Sequence, residues 1–252
     1  MMRENARAVI AMLIQPIKTR VFKEGEPLLP FVVRHAKKVK NGSIIVITSK
    51  IVALSEGRVR RIKDAGTRAR VIKSESQWRM RTKHTWLTIK DNMVMASAGV
   101  DESNADGKLI LLPKNSFAAA RRIREELKRH YRIKNLGVII TDSRLLPLRA
   151  GIVGVALGYS GFGGIRDYRG TPDIFGRILR LSRTDVADSL ATAAVLMMGE
   201  GAERQPLAVI KNAPVEFKDK TDPRELFIDP REDIYQPLFE KIKKAKWPGR
   251  RA

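Results

Sequence analysis

The chain has 252 residues, 49 of them lysine or arginine against 27 acidic, for a formal net charge of +22, with 43% hydrophobic and 30% charged residues. That length and balance describe a globular chain able to bury a substantial core, and no apolar run approaches the roughly 18 residues of a membrane span. Cysteine is absent and only His35, His84 and His130 are present, at unrelated spacings, which excludes disulfides, thiolate metal sites and cysteine nucleophiles and argues against a histidine-rich metal centre.

In chain order, the apolar stretch Ala6–Ile17 predicts a strand that Pro16 closes. The early acidic residue and the lack of a small-residue cleavage site argue against a signal peptide, so the expected location is cytoplasmic. Leu28–Lys40 reads as a helix stopped by the turn pair Asn41-Gly42. Ile44–Ile47 is a β-branched run of the kind buried on both faces of a sheet. Residues 57–83 are polar and basic with weak helical character. His84–Ile89 and Met93–Ala98 flank Asp91-Asn92, a hairpin turn. Leu109–Leu112 predicts a strand stopped by Pro113. Asn115 or Ser116 can cap a helix over Phe117–Tyr131, with Ala118, Ile123 and Leu127 near one face.

Lys134–Thr141 predicts a buried strand ending at Asp142, and Ile152–Leu157 another, opening the run GYSGFGGIRDYRG. A helix follows over Thr184–Met197, with Ser182 and Asp185 in capping-box relation and Val186, Leu190, Ala193, Ala194 and Met197 on one face, ending at Gly199. Pro206–Ile210 reads as a strand and Tyr235–Lys246 as a C-terminal helix. Without strict strand–helix alternation or an internal repeat, the class is α+β, with mixed and antiparallel sheets, in a single domain over residues 1–252 with a basic tail from about residue 241.

The charge clusters in HAKKVK, EGRVRRIKDAGTRARVIK, AARRIREELKRHYRIK and KIKKAKWPGRR, a pattern that attracts polyanions. Nucleic acid is therefore an alternative partner. Aromatics are only 6% of residues, which counts against a base-stacking platform.

Three acidic residues share a setting. Asp101 follows a strand, Asp142 ends one beside Ser143, and Glu200 sits in MGEG after a helix. Carboxylates backed by a hydroxyl are the hard oxygen ligands that Mg²⁺ and Mn²⁺ prefer, and three of them in a basic cleft would suit two ions on a nucleotide. Singly, such residues are ordinary turn formers and caps. The glycine-rich run lacks the lysine of a phosphate-binding loop, while Arg166, Asp167 and Arg169 beside it suit an anionic ligand.

Taken in order, TSKIVALSEGRV (48–59), ASAGVDESN (96–104), LLP (111–113), GVIITDS (137–143), RAGIVGVALGYSG (149–161), DYRGTPDIFGRIL (167–179), DVADSLATAAVLMMGEG (185–201) and IDPREDIY (228–235) resemble the coenzyme F-420-0:γ-glutamyl ligases. The resemblance implies an intertwined α+β homodimer. It also implies a ligase joining L-glutamate, with GTP (or ATP), to an anionic acceptor through an acyl phosphate. Two Mg²⁺ or Mn²⁺ ions, with K⁺ as an accompanying ion, would be held by Asp101, Asp142, Ser143 and Glu200. The nucleotide would lie along Lys18, Thr19, Arg20, Val21, Ser49, Lys50, Asn104, Met198, Gly199 and Gly201, the last three within the stretch from Met198 to Gln205. Arg149, Arg166 and Asp167 are the expected substrate contacts. Leu54 stands where the family usually has lysine, and Leu145-Leu146 where it has a Gly-Arg step, which points to a less anionic acceptor. F-420-0 is the reference acceptor and a folate or other pterin the alternative. A nucleic-acid-binding or nucleotide-sensing protein on the same scaffold is the alternative of another class.

Overall fold

Two β-branched runs, SIIVIT and LGVIIT, dictate the frame. The computed structural model describes residues 11–64 and 66–239. The elements are β1 (Leu13–Ile17), α1 (Leu28–His35), β2 (Ser43–Thr48), α2 (Ser49–Ser55), β3 (Val59–Arg61), α3 (Thr67–Glu75), β4 (Trp78–Arg81), β5 (Trp86–Lys90), β6 (Met93–Ala96) and β7 (Lys108–Ile110). They continue as α4 (Ser116–Tyr131), β8 (Leu136–Leu145), β9 (Ile152–Ser160), β10 (Ile165–Asp167), β11 (Arg183–Asp185), α5 (Val186–Met198), β12 (Leu207–Lys211) and α6 (Gln236–Phe239).

The main sheet has the order β1-β12-β2-β8-β9. Its one parallel pair is β2 with β8, in register from Ser43 opposite Leu136 to Thr48 opposite Thr141. Side chains alternate across a strand, so the unbroken apolar run of β2 feeds both faces. Ile45 and Ile47, with Val138, Ile140, Leu207 and Val209, pack under α1, α2 and α4 through Phe31, Val52, Ile123 and Leu127. Ile44 and Val46, with Ile139, Ala208 and Ile210, pack under α5 through Leu190, Ala191, Ala194 and Met198. Each fully buried aliphatic side chain stabilises the fold by about 1.5–3 kcal/mol, so β2 and β8 carry a large share of the core.

A smaller layer stands beside this sandwich. The meander β4-β5-β6, the pair β3–β7 and α3 enclose Ile72, Val100 and Leu109. Glu75 at the end of α3 accepts from both Arg58 and Lys90. At Asp91 and Asn92, φ is 50° and 60°, the left-handed pair of a tight hairpin turn. A C-terminal strap then returns along the main sheet. Lys218 N–H donates to the Gly161 carbonyl at 3.0 Å, and the Tyr159 hydroxyl and Gly164 N–H both donate to Glu225, at 2.5 and 2.7 Å.

The α+β class and most strands agree with expectation. Several boundaries do not. β1 continues through Pro16, which lies opposite Ala208; β1 is an edge strand, where a missing N–H costs no ladder bond. Residues 6–10 lie outside the described residues. The first helix stops at His35 rather than Lys40. The basic stretch 57–83 contains β3, α3 and β4 rather than helix alone. β8 does not end at Asp142 but runs to Leu145, because β9 keeps pairing with it beyond an irregularity between Ile140 and Thr141.

On α4, Asn115 is the cap, its side chain accepting from Ala118 N–H at 2.9 Å; the buried face holds Ala119, Ala120, Ile123 and Leu127, while Ala118 is exposed. Asp185 caps α5 without Ser182, accepting from Asp188 N–H at 2.9 Å. The buried face of α5 ends on Met198, not Met197. Of the expected C-terminal helix, Gln236–Phe239 is helical, Tyr235 lies in the turn before it, and residues 240–246 lie outside the described residues.

The glycine-rich run serves packing. A Cβ at Gly158 would meet the Ser116–Phe117 backbone at 2.5–2.7 Å, whereas one at Gly163 would meet nothing nearer than the Lys218 side chain at 3.4 Å. Gly158→Ala should therefore destabilise the fold by about 1–3 kcal/mol through displacement of α4, and Gly163→Ala should be close to neutral. Denaturant titration of the two variants checks this; equal stabilities would contradict the packing argument.

Candidate functional site

The β2–β8 register sets two chain segments side by side at the carboxyl ends of the parallel strands of the main sheet. β2 passes directly into α2, presenting Ser49 and Lys50; β8 presents Thr141, Asp142 and Ser143. Ser49 Oγ donates to Asp142 Oδ1 at 3.3 Å, and Arg144 pairs with Asp142 Oδ2. α5 stops where Gly199 takes φ 80°, a conformation glycine adopts at little cost. The chain leaving it delivers Glu200, whose Oε1 accepts from Ser143 Oγ at 2.6 Å.

A third segment enters from the smaller layer. Asp101 is fixed by reciprocal backbone hydrogen bonds with Ile110, at 2.9 and 2.8 Å. Its carboxylate accepts from Ser103 N–H at 2.7 Å and Ser103 Oγ at 3.0 Å. Lys50 Nζ pairs with Asp101 Oδ2 at 2.8 Å and donates to the Ser103 carbonyl at 2.7 Å. Asn104 then donates from Nδ2 to the Gly201 carbonyl at 3.3 Å, tying this segment to the end of α5.

Together these segments line a cavity of about 490 Å³, within the range of small-molecule sites. Arg20, Lys50, Asp101, Asp142 and Glu200 form a charged wall, and Phe22, Ile51, Leu54, Leu112 and Val195 an apolar one. Thr141 Oγ1, on the same cavity, is buried and has no hydrogen-bond partner. Burial pushes the Asp101 carboxyl up, but the Lys50 and Ser103 hydrogen bonds outweigh it and hold the group below its ordinary value. Among the described residues no three histidine or acidic side chains form a ready-made cluster for an ion. The donors nonetheless fit an oxygen-preferring divalent ion in kind: three carboxylates, the Ser143 hydroxyl and the unpartnered Thr141 hydroxyl.

Of the residues singled out from the sequence, Thr19, Arg20, Val21, Ser49, Lys50, Asp101, Asn104, Asp142, Ser143, Met198, Gly199, Glu200 and Gly201 all line this cavity, and Lys18 does not. Arg149 is exposed on the turn after β8. Arg166 and Asp167 lie on β10, engaged with Pro214 and Arg169. These three line neither this cavity nor the larger one of about 1530 Å³ that begins at Arg144. The larger cavity is walled by the meander (Trp78, Met80, Met93), by Leu145 and Leu146, by Tyr159 and by the strap (Phe227, Tyr235), with Asp185 and Asp188 on its lining. Sequence reasoning did not single out Thr141, Arg144 and Asp188; Arg144 had a signal, a cation directly after the Asp-Ser pair.

A ligand cleft at the carboxyl ends of parallel strands is the class of site that open sheets form. A family model described as F420-0:Gamma-glutamyl ligase matches residues 16–212. Similar proteins include the "Coenzyme F420:L-glutamate ligase" of Methanocaldococcus jannaschii, 31% identical over 94% of this chain and 100% of that protein. The protein of the same name from Methanopyrus kandleri is 30% identical over 88% of this chain and 97% of its own length. That of Methanococcus maripaludis strain C7 is 43% identical over 147 residues, a match spanning 58% of each protein. The chain belongs to the F420-0:gamma-glutamyl ligase family.

Lys50→Met removes the cation that offsets the burial of Asp101. The Asp101 carboxyl should then titrate above its wild-type value, with only the Ser103 hydrogen bonds left to oppose burial, as read by carboxyl NMR across acid pH. Because the wild-type pKa is depressed, Asp101 contributes stability above its unfolded pKa that is lost as pH falls through the folded one; in the variant that contribution shrinks.

Proposed function

We propose that this chain is a cytoplasmic, homodimeric ligase that uses GTP and divalent metal to join the amine of L-glutamate to a carboxylate of an F-420-0-like acceptor. The observation that carries the reading is the meeting of Asp101, Asn104, Asp142, Ser143 and Glu200, from three separate segments, around one cavity with a charged wall and an apolar wall. The relatives' names supply the substrates.

In this reading the nucleoside rests on the apolar wall at Phe22, Ile51 and Leu54, and the phosphates lie along Lys50 and the Gly199–Gly201 backbone. Asp101, Asp142, Ser143 and Glu200 would hold divalent ions, which neutralise phosphate charge when bound. Lys50 and Arg144 hold the Asp101 and Asp142 carboxylates in place. The acceptor carboxylate oxygen attacks the γ-phosphorus, and the bond to the nucleoside diphosphate breaks. The glutamate amine then attacks the acyl carbon; the C–N bond forms, phosphate departs with the C–O bonding pair, and one proton is released. The protein's own work is orientation, since holding reactants in line lowers the barrier without covalent participation.

Leu54 on the small cavity and Leu145 and Leu146 on the large one favour an acceptor with fewer charges, which makes a folate or other pterin the second reading. Phosphate release and product mass are measured with GTP or ATP, Mn²⁺ or Mg²⁺ and L-glutamate, offering F-420-0, a reduced folate or no acceptor. A gain of one glutamyl unit on F-420-0 is expected, and a gain on folate alone selects the second reading. Release without any acceptor or glutamate would overturn the ligase assignment. Asp101→Asn and Asp142→Asn should each lower turnover on the order of 100-fold with unchanged thermal unfolding; full activity in both would remove the metal-holding role.

A further inference from the structure

Arg144 sits at the boundary of the two cavities. It is only 7% exposed. Its Nη1 serves the small cavity, pairing with Asp142 and donating to the Ser143 carbonyl at 2.9 Å. Its Nε and Nη2 are buried with no hydrogen-bond partner, and Arg144 also lines the large cavity. Leaving two donors of a buried guanidinium unmet is unfavourable, and two adjacent donors of this kind suit a carboxylate bound by its two oxygens.

Near that edge stand two carboxyl groups. Asp185 and Asp188 line the large cavity, their carboxyl groups close enough to influence one another. Each also accepts from backbone through Oδ1, Asp185 from Asp188 N–H at 2.9 Å and Asp188 from Ala156 N–H at 2.8 Å. Burial raises both; Arg144 draws Asp188 part of the way back. Such a pair calls for a cation, and the guanidinium beside it calls for an anion. A free phosphate satisfies the arginine but is repelled by the pair. A metal ion satisfies the pair but is repelled by the arginine. An α-amino acid presents ammonium and carboxylate on one carbon and satisfies both.

We infer that Arg144, Asp185 and Asp188 form the amino-acid subsite, Arg144 taking the α-carboxylate and the aspartate pair the α-ammonium. The assignment rests on the ligase reading for the identity of the amino acid, L-glutamate. It places the amine on the large-cavity side of the Asp142–Arg144 pair, next to the phosphate-handling cavity.

The test is saturation-transfer NMR on the full chain with Mg²⁺ and a non-hydrolysable GTP analogue, using L-glutamate, glutarate (no amine) and 4-aminobutyrate (no α-carboxylate) as probes. L-Glutamate should bind, and the two analogues should bind at least tenfold more weakly. Arg144→Gln and Asp188→Asn should each weaken L-glutamate at least tenfold, and Asp188→Asn, which touches none of the groups on the small cavity, should leave nucleotide affinity within about twofold. Asp188→Asn keeps an oxygen for Ala156 N–H, so unchanged thermal unfolding is the check on folding; if only Arg144→Gln unfolds, Asp188→Asn decides.

Absence of L-glutamate binding to the wild type, equal binding of glutarate, or wild-type binding by a folded Asp188→Asn would overturn the subsite and leave Asp185 as the cap of α5 and Asp188 as its tie to β9. Turnover is read separately. A wild type that ligates glutamate while a folded Asp188→Asn keeps its KM for glutamate loses the subsite and keeps the ligase. A wild type that binds L-glutamate here without turnover loses the ligase and keeps the subsite.

Discussion

The parallel pairing of β2 with β8 is the constraint on which everything else depends. Both strands are buried on both faces, so a slip of one residue would turn Ile45, Ile47, Val138 and Ile140 away from α1, α2 and α4 and break both cores together. The register that survives puts Thr48 opposite Thr141, and therefore Ser49 beside Asp142. The candidate site is thus positioned by core packing. Its polar groups need contribute little to the fold, which frees them to be arranged for a ligand.

Electrostatics then decides how those groups rest. The carboxylates of Asp101, Asp142 and Glu200 on one small cavity would repel one another, yet each has its own partner: Lys50 for Asp101, Arg144 for Asp142 and the Ser143 hydroxyl for Glu200. Such partners keep the oxygens placed in a chain of net charge +22. They are also the groups an incoming cation would have to displace or share, so the site is organised without being preassembled around an ion.

Much of this was legible in the sequence, for identifiable reasons. The β-branched runs, the Asp91-Asn92 turn and the Asn115 cap are local signals, and local physics decides them. The cavity residues were found through motif order, although no periodicity predicts that Asp101, Asp142 and Glu200 face one space. What failed was non-local. β8 extends past Asp142 because β9 pairs there, and β1 tolerates Pro16 because it lies at an edge, neither of which the strand's own residues reveal. Arg166 and Asp167 looked like anion contacts because arginine beside glycine often is, but β10 turns them to other partners. Arg144 and Asp188 were passed over because an arginine after a strand and an aspartate in a helix's first turn read as surface residues; burial, which only the fold supplies, gives them another meaning.

β8 also explains why two cavities make one reaction site plausible on physical grounds. Thr141, Asp142 and Ser143 line the small cavity, while Arg144, Leu145 and Leu146 line the large one. The changeover takes one residue, about 3.3 Å of strand, and the guanidinium of Arg144 reaches back across it to Asp142. A phosphate-bearing ligand and an amine need not then share one pocket or displace one another. The two cavities, each lined by both charged and apolar side chains, can each be shaped for its own occupant, with β8 between them. In this chain Leu145 and Leu146 fall just on the large-cavity side, while Asp142 and Ser143 stay on the small cavity where the pairing with β2 holds them.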